Sequence, residues 1–165
     1  MNTLMIIWHS RTLASKQAAN CAYQGALHVQ RELQQNHSIL FIPAENVQAQ
    51  QLLQANAYLF CAPENLGSLS GIMKEFFDRH YYTALGKIEG RPYSAIISAG
   101  TDGQGALTQL KRICTGWRLN EQIPSQIFSF RAETEKDILT LKTLTEQQQQ
   151  IAWEMGATLY ALISD

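Results

Sequence analysis

Three short stretches of this chain carry the residue types that bind rather than pack. The first, His9 to Ser15 (H-S-R-T-L-A-S), sets the hydroxyls of Ser10, Thr12 and Ser15 between an apolar run and a helical pattern. Hydroxyls together with the free backbone N–H groups of a helix N-terminus can hold a phosphate without a metal and with little net charge. Arg11 either adds a charge there or faces solvent. The second stretch, Ala62 to Arg79, reads A-P-E-N-L-G-S-L-S-G-I-M-K-E-F-F-D-R. Pro63 sets the exit from a strand, Gly67 permits a positive φ or close approach to a flat ligand, and Asn65 can both donate and accept. Glu64 is either a ligand contact or a local brace. The third, Ala99 to Gly105 (A-G-T-D-G-Q-G), places Gly100, Gly103 and Gly105 around Thr101 and Asp102, exposing backbone amides that could meet the polar edge of a ring.

Composition excludes several alternatives. A formal net charge of -1 provides no basic footprint for nucleic acid or anionic lipid. Cys21, Cys61 and Cys114 lie far apart in apolar patterns with no C-x-x-C pairing, which reads as reduced, buried thiols of an intracellular protein. The four histidines, His9, His28, His37 and His80, are equally scattered, so no metal site is expected. The N-terminus has no charged region before its apolar run and reads as a first strand, not a signal peptide. No apolar run approaches a membrane span, and a cytoplasmic location is the expectation.

The elements that must position the three stretches follow from periodicity. Continuous apolar runs at Leu4–Trp8, Ile39–Ile42, Ala57–Ala62, Tyr93–Ser98 and Ile127–Phe130 predict five buried strands. Helical stripes separate them: Ser15–Leu33, Val47–Gln54, Gly71–Arg79 with Ser70 as its N-cap, and the segment from Ala106 to Trp117. The Gly71–Arg79 helix is predicted to bury Ile72, Met73, Phe76 and Phe77. A final helix, capped by Thr143 with Glu146 or Thr145 with Gln148, is predicted to bury Ile151, Ala152, Met155, Leu159, Leu162 and Ile163. Thr134–Leu144 reads as either a short helix or a loop. Strands alternating with helices imply an α/β fold, a three-layer αβα sandwich with a five-stranded parallel sheet in order 2-1-3-4-5, as one domain over residues 1–165. In that order the loops after strands one, three and four emerge side by side at the carboxyl rim, around the switch point. Those are the three stretches above.

The segments P-E-N-L-G-S-L-S-G-I-M-K-E-F-F-D-R, G-R-P-Y and S-A-G-T-D-G-Q-G-A resemble the patterns of the NAD(P)H-dependent FMN reductase group of flavodoxin-like proteins, and the resemblance spans nearly the whole chain. It implies noncovalent FMN at this rim. On that resemblance Ser10, Thr12 and Ser15 hold the phosphate, Pro63, Glu64, Asn65, Leu66 and Gly67 line the ribityl chain and isoalloxazine, and Gly100, Thr101, Asp102 and Gly103 contact the flavin edge. Arg11, Leu13, Ala14 and Ala99 complete the candidate set. The family's phosphate loop reads like S-x-T-G-x-T, whereas here Leu13 stands in the glycine's place and Ser15 in that of the last threonine. A leucine supplies its N–H equally well unless the loop needs a positive φ there.

The implied activity is transfer of electrons from NADH or NADPH through FMN to a small acceptor such as a quinone or flavin, with no catalytic side chain. The alternatives are a flavodoxin-type electron carrier without NAD(P)H turnover, or a relative that no longer binds FMN. A homodimer is also implied; Tyr81, Tyr82 and Trp117 are possible interface aromatics, with core packing the expected role for Trp117.

Overall fold

The computed structural model describes residues 1–164. Strand β1 (Thr3–Trp8) leads to α1 (Ala14–Glu32), then β2 (Ser38–Pro43), a single 3-10 turn, and α2 (Ala49–Gln54). Next come β3 (Ala57–Asn65), β4 (Ser68–Leu69), α3 (Gly71–Ala84), β5 (Pro92–Ala99) and α4 (Gln104–Gly116). The chain continues with β6 (Asn120–Glu121), β7 (Gln126–Ser129), α5 (Glu135–Leu139) and α6 (Glu146–Leu162).

The sheet runs β2-β1-β3-β5 and ends in an edge position divided between β6 and β7, both parallel to β5. This is the order 2-1-3-4-5, with the fifth strand interrupted at residues 122–125. Expectation and structure differ at two places in the sheet. The fifth strand is split, and β3 runs three residues past Ala62 before turning back through β4, the antiparallel partner of Glu64 and Asn65.

Strand side chains alternate between two apolar layers, as the pleat requires. Met5 and Ile7 of β1, Tyr58 and Phe60 of β3, and Ala95 and Ile97 of β5 face the layer shared with α2, α3 and α4. Leu4, Ile6, Leu59, Cys61 and Ile96 face α1 and α6. Trp117 is fully buried in the first layer, while Tyr82 is 82% exposed. The helix stripes are narrower than their sequence suggests: Ile72 and Leu162, expected inside, are 41% and 40% exposed. Each lies at the edge of its stripe, where solvent reaches a helix packed on a twisted sheet. Thr145 with Gln148 forms the capping box of α6.

Helix α1 meets the sheet through Ala18, Ala19, Ala22 and Ala26, and meets α6 at two glycines. A Cβ on Gly25 would stand 2.0 Å from the carbonyl oxygen of Trp153, and one on Gly156 would stand 1.9 Å from that of Ala22. The backbones are therefore in contact, and neither site can admit a side chain unless the helices part. Among the described residues no helix is long and apolar enough to cross a membrane.

Gly156→Val is expected to lower the unfolding free energy by about 3 kcal/mol, the upper part of the usual range for overpacking. Urea denaturation with an unchanged m-value measures it; a loss below about 1 kcal/mol would mean that α1 and α6 separate easily.

Candidate functional site

The carboxyl rim holds a cleft of about 350 Å³, within the range of small-molecule sites. Arg11, Thr12 and Ala14 line it from the loop after β1. Pro63, Glu64, Asn65, Leu66 and Gly67 line it from the β3–β4 hairpin, and Ala99, Gly100 and Thr101 from the loop after β5. The three predicted loops are thus brought together.

Loop one turns into α1 through Leu13, whose φ of 71° and ψ of -11° are left-handed. The condition set by the sequence fails at this residue: the position does demand a positive φ, and leucine is strained in it. A leucine N-cap has no side-chain oxygen to offer the first turn, and the first turn contains no acidic residue. The leading N–H groups of α1 therefore have no side-chain acceptor from the cap or the first turn, with the positive end of the helix dipole behind them. By contrast α5 and α6 are capped by Thr134 and Thr145. The Ser10 hydroxyl is buried with no hydrogen-bond partner among the described residues. Ser15 is placed differently from its neighbours, because its buried hydroxyl lies 2.7 Å from that of Ser98 and is turned toward β5. Its backbone N–H stays in the first turn.

Loop two is a two-residue hairpin turn. Asn65 pairs with Ser68, and Leu66 and Gly67 between them have φ of 52° and 73°, the positive values that a type I′ turn needs at both positions. The Leu66 side chain is fully exposed at the cleft. Glu64 is a brace. One carboxylate oxygen accepts from Gly103 N–H at 2.9 Å and the other from Ala106 N–H at 3.0 Å, so the side chain caps α4. Gly105 allows the hairpin to come this near, since a Cβ there would stand 2.0 Å from Gly67 O. Gln109 of α4 completes the joint by accepting from Leu69 N–H at 2.8 Å. Gly103 is buried at φ 88° as the N-cap of α4, and Asp102 is exposed; neither lines the cleft.

Five lining residues escaped the sequence reading. Ser98 forms floor at the end of β5, Phe130 and Ala132 follow β7, and Ile138 and Lys142 come from α5 and the segment after it. The strand order itself could have pointed to Phe130 and Ala132, because the loop after strand five opens on the same rim. Nothing in the ambiguous Thr134–Leu144 segment pointed to Ile138 or Lys142.

Neighbouring titratable groups fasten the rim. His9 Nδ1 lies 2.8 Å from the Ser70 hydroxyl, so Ser70 ties loop one to the start of α3 instead of capping that helix with its side chain. Burial lowers the His9 pKa, with Glu45 opposing. Burial pushes the Cys61 and Cys114 thiols up, away from reactive thiolates, and all three cysteines are free. Among the described residues no group of three or more His, Cys, Asp or Glu side chains could hold a metal ion.

A parallel sheet in this order with a cleft at its carboxyl rim defines a flavodoxin-like protein. Residues 41–135, more than half the chain, match the family described as NADPH-dependent FMN reductase, and the chain belongs to that family. No curated protein sequence matches it. Among solved structures, a flavodoxin from the domain Archaea is similar with a TM-score of 0.77 at 13% identity, covering 99% of each chain. An oxidoreductase from Corynebacterium diphtheriae gives 0.72 at 17% identity, covering 99% of this chain and 97% of the other. A flavodoxin, WrbA-like protein from Agrobacterium tumefaciens gives 0.67 at 12%, covering 99% and 98%. At such identities the likeness concerns the fold.

Two stability measurements test the site's construction. Glu64→Ala is expected to cost about 2 kcal/mol, the loss of a charged helix cap, and Glu64→Gln about half of that because one acceptor remains. Equal losses would mean that the charge contributes nothing. Leu13→Gly is expected to be about 1 kcal/mol more stable than Leu13→Ala, since only glycine is free of the left-handed penalty. Equal thermal midpoints for the two would place no strain at Leu13.

Proposed function

We propose that the cleft binds FMN and that the protein is an oxidoreductase passing electrons from NADH or NADPH to a small acceptor. The observation that carries this reading is the N-terminus of α1, without a side-chain cap, and the unpartnered Ser10 hydroxyl in the same loop, whose Arg11, Thr12 and Ala14 line a cleft large enough for a planar ring system. Open N–H groups, a buried hydroxyl in want of a partner and the nearby Arg11 suit a phosphate. Membership of the FMN reductase family supports FMN as the phosphorylated ligand.

In this reading Ser10, Thr12 and the leading N–H groups of loop one hold the phosphate. Arg11 adds positive charge at the mouth, and the Ser15 hydroxyl secures the loop to β5. Asn65, Leu66 and Gly67 wall one side of the ring, Gly100 and Thr101 meet its polar edge, and Phe130 and Ile138 exclude water from the opposite wall. FMN, when bound, supplies hydride and electron transfer, and the protein supplies binding, orientation and electrostatics. No side-chain acid, base or nucleophile is assigned. Both oxygens of the Glu64 carboxylate are committed to α4. Leu66 adds a small exposed apolar wall instead of an aromatic stack, which leaves the ring accessible to donor and acceptor in turn.

FMN and riboflavin titrations followed by flavin fluorescence test the binding. Wild type is expected to take FMN at micromolar concentration, and Ser10→Ala to weaken FMN by about tenfold, the effect of one hydrogen bond to a charged group, while riboflavin is unaffected. Equal loss for both ligands would remove Ser10 from the phosphate site, and no binding of either would end the flavin reading. Anaerobic mixing of the FMN-loaded protein with NADH or NADPH should bleach the flavin absorbance; no bleaching over minutes would leave an electron carrier.

A further inference from the structure

Opposite the hairpin, the cleft is closed by a part of the chain attached quite differently. Helix α5 buries no side chain. Ile138, which lines the cleft, is 48% exposed, and Leu139 and Leu141 are 50% and 66% exposed. The segment is anchored at its two ends. Ala132 is buried and donates its N–H to Gly100 O at 2.9 Å, and Leu144 is buried in the layer beneath α1 and α6.

Between the anchors, the connection to the body of the fold runs through the backbone of Lys142. Its N–H donates to Thr12 O at 2.8 Å, and its carbonyl accepts from Gln17 Nε2 at 2.7 Å. Gln17 is held at its other end, where Oε1 accepts from Leu144 N–H at 3.3 Å. The Lys142 ammonium turns back on α5, donating to the carbonyls of Asp137 and Thr140, so α5 and Lys142 move as one piece. Parting this piece from the cleft breaks two backbone hydrogen bonds of Lys142 and withdraws no α5 side chain from the core. Segments so attached open locally far more readily than the sheet beneath them.

We propose that residues 133–142 are a hinged wall of the cleft, latched by Gln17, and that Gln17 is a positioning residue governing how fast the ligand leaves. The latch closes on Thr12, whose own loop is the phosphate loop of the proposed function, so the inference rests on that reading. A ligand that fixes loop one fixes the Thr12 carbonyl to which Lys142 is bonded. A ligand against Ile138 holds the wall from inside. Occupation of the cleft and closure of the wall therefore favour each other.

The test joins hydrogen exchange of the full chain with stopped-flow release of FMN. Gln17→Glu keeps the acceptor for Leu144 N–H but sets an oxygen against Lys142 O. The variant is expected to speed exchange at residues 135–142 in ligand-free protein and to release FMN about tenfold faster, the effect of one lost hydrogen bond and one repulsive contact. Because it also places a charge one turn into α1, riboflavin, which has no phosphate, is followed beside FMN and should be released faster by the same factor. Acceleration confined to FMN would overturn the latch's control of the ligand. Ile138→Ala is expected to release FMN faster while leaving ligand-free exchange unchanged. FMN added to wild type should slow exchange at residues 135–142. Unchanged exchange in Gln17→Glu, or exchange that rises equally in the strands, overturns the latch. FMN release at the wild-type rate from a variant whose wall does open overturns its control of the ligand. Should wild type bind no FMN, the flavin reading fails and the coupling with it, while the ligand-free exchange of Gln17→Glu still decides whether Gln17 is the latch.

Discussion

The site is organised by one carboxylate set on one helix end. Glu64 leaves β3 at the rim and places its two oxygens on Gly103 N–H and Ala106 N–H, satisfying open donors at the positive dipole end of α4. The bond joins loop two to loop three and presses the hairpin against α4 so closely that residue 105 must be glycine. Three long helices begin at this rim, and the protein has filled α4 with its own anion. Neither α1 nor α3 has a side-chain cap or an acid in its first turn, and of the two only α1 lines the cleft, through Ala14. In the proposed reading an incoming anion is thereby directed to loop one, without any excess of positive charge on the protein as a whole.

Backbone strain is present at the same rim. Leu13 and Leu66 both hold positive φ, a conformation that costs an L-residue about 1–2 kcal/mol and that surrounding structure must enforce. The hairpin register enforces it at Leu66, because Asn65 pairs with Ser68 and leaves only two residues to reverse the chain. At Leu13 the constraint comes from both sides: Gln17 N–H bonds to Leu13 O at 2.9 Å, and Thr12 O receives Lys142 N–H. The strained turns start α1 at the cleft wall in one loop and set an apolar side chain beside the cleft in the other.

The architecture was legible because its signals are local and repeated. Apolar runs of strand length, alternating with helical stripes and ending in hydroxyl- or glycine-bearing loops, led to the αβα sandwich, the strand order and the three loops of the rim. Less was legible where partners lie far apart in the chain. The role of Glu64 was undecidable from its neighbours, because its donors are 39 and 42 residues away. Leucine is no marker of a left-handed backbone, so neither Leu13 nor Leu66 announced its conformation. The division of the edge strand and the course of Thr134–Leu144 were hidden for the opposite reason: these segments are short and bury little, so hydrophobic periodicity has nothing to report.

The two sides of the cleft differ in what holds them. On the hairpin side a buried glycine contact, a carboxylate on a helix end and the Gln109 amide bind loop two to α4, and α4 buries Ala106, Leu107, Leu110 and Cys114 in the sheet layer. Moving that side would disturb the core. On the α5 side no side chain of the helix is buried, and the segment returns to the fold only where it meets α1. The position of α1 is itself set by the backbone contact with α6 at Gly25 and Gly156, so loop one is fixed from below by α6 and bonded from above by the residues that lead into it. A cleft with one wall in the core and one wall on the surface can keep its geometry and still admit a ligand, because the surface wall can yield while the core wall and the anion loop stay in place.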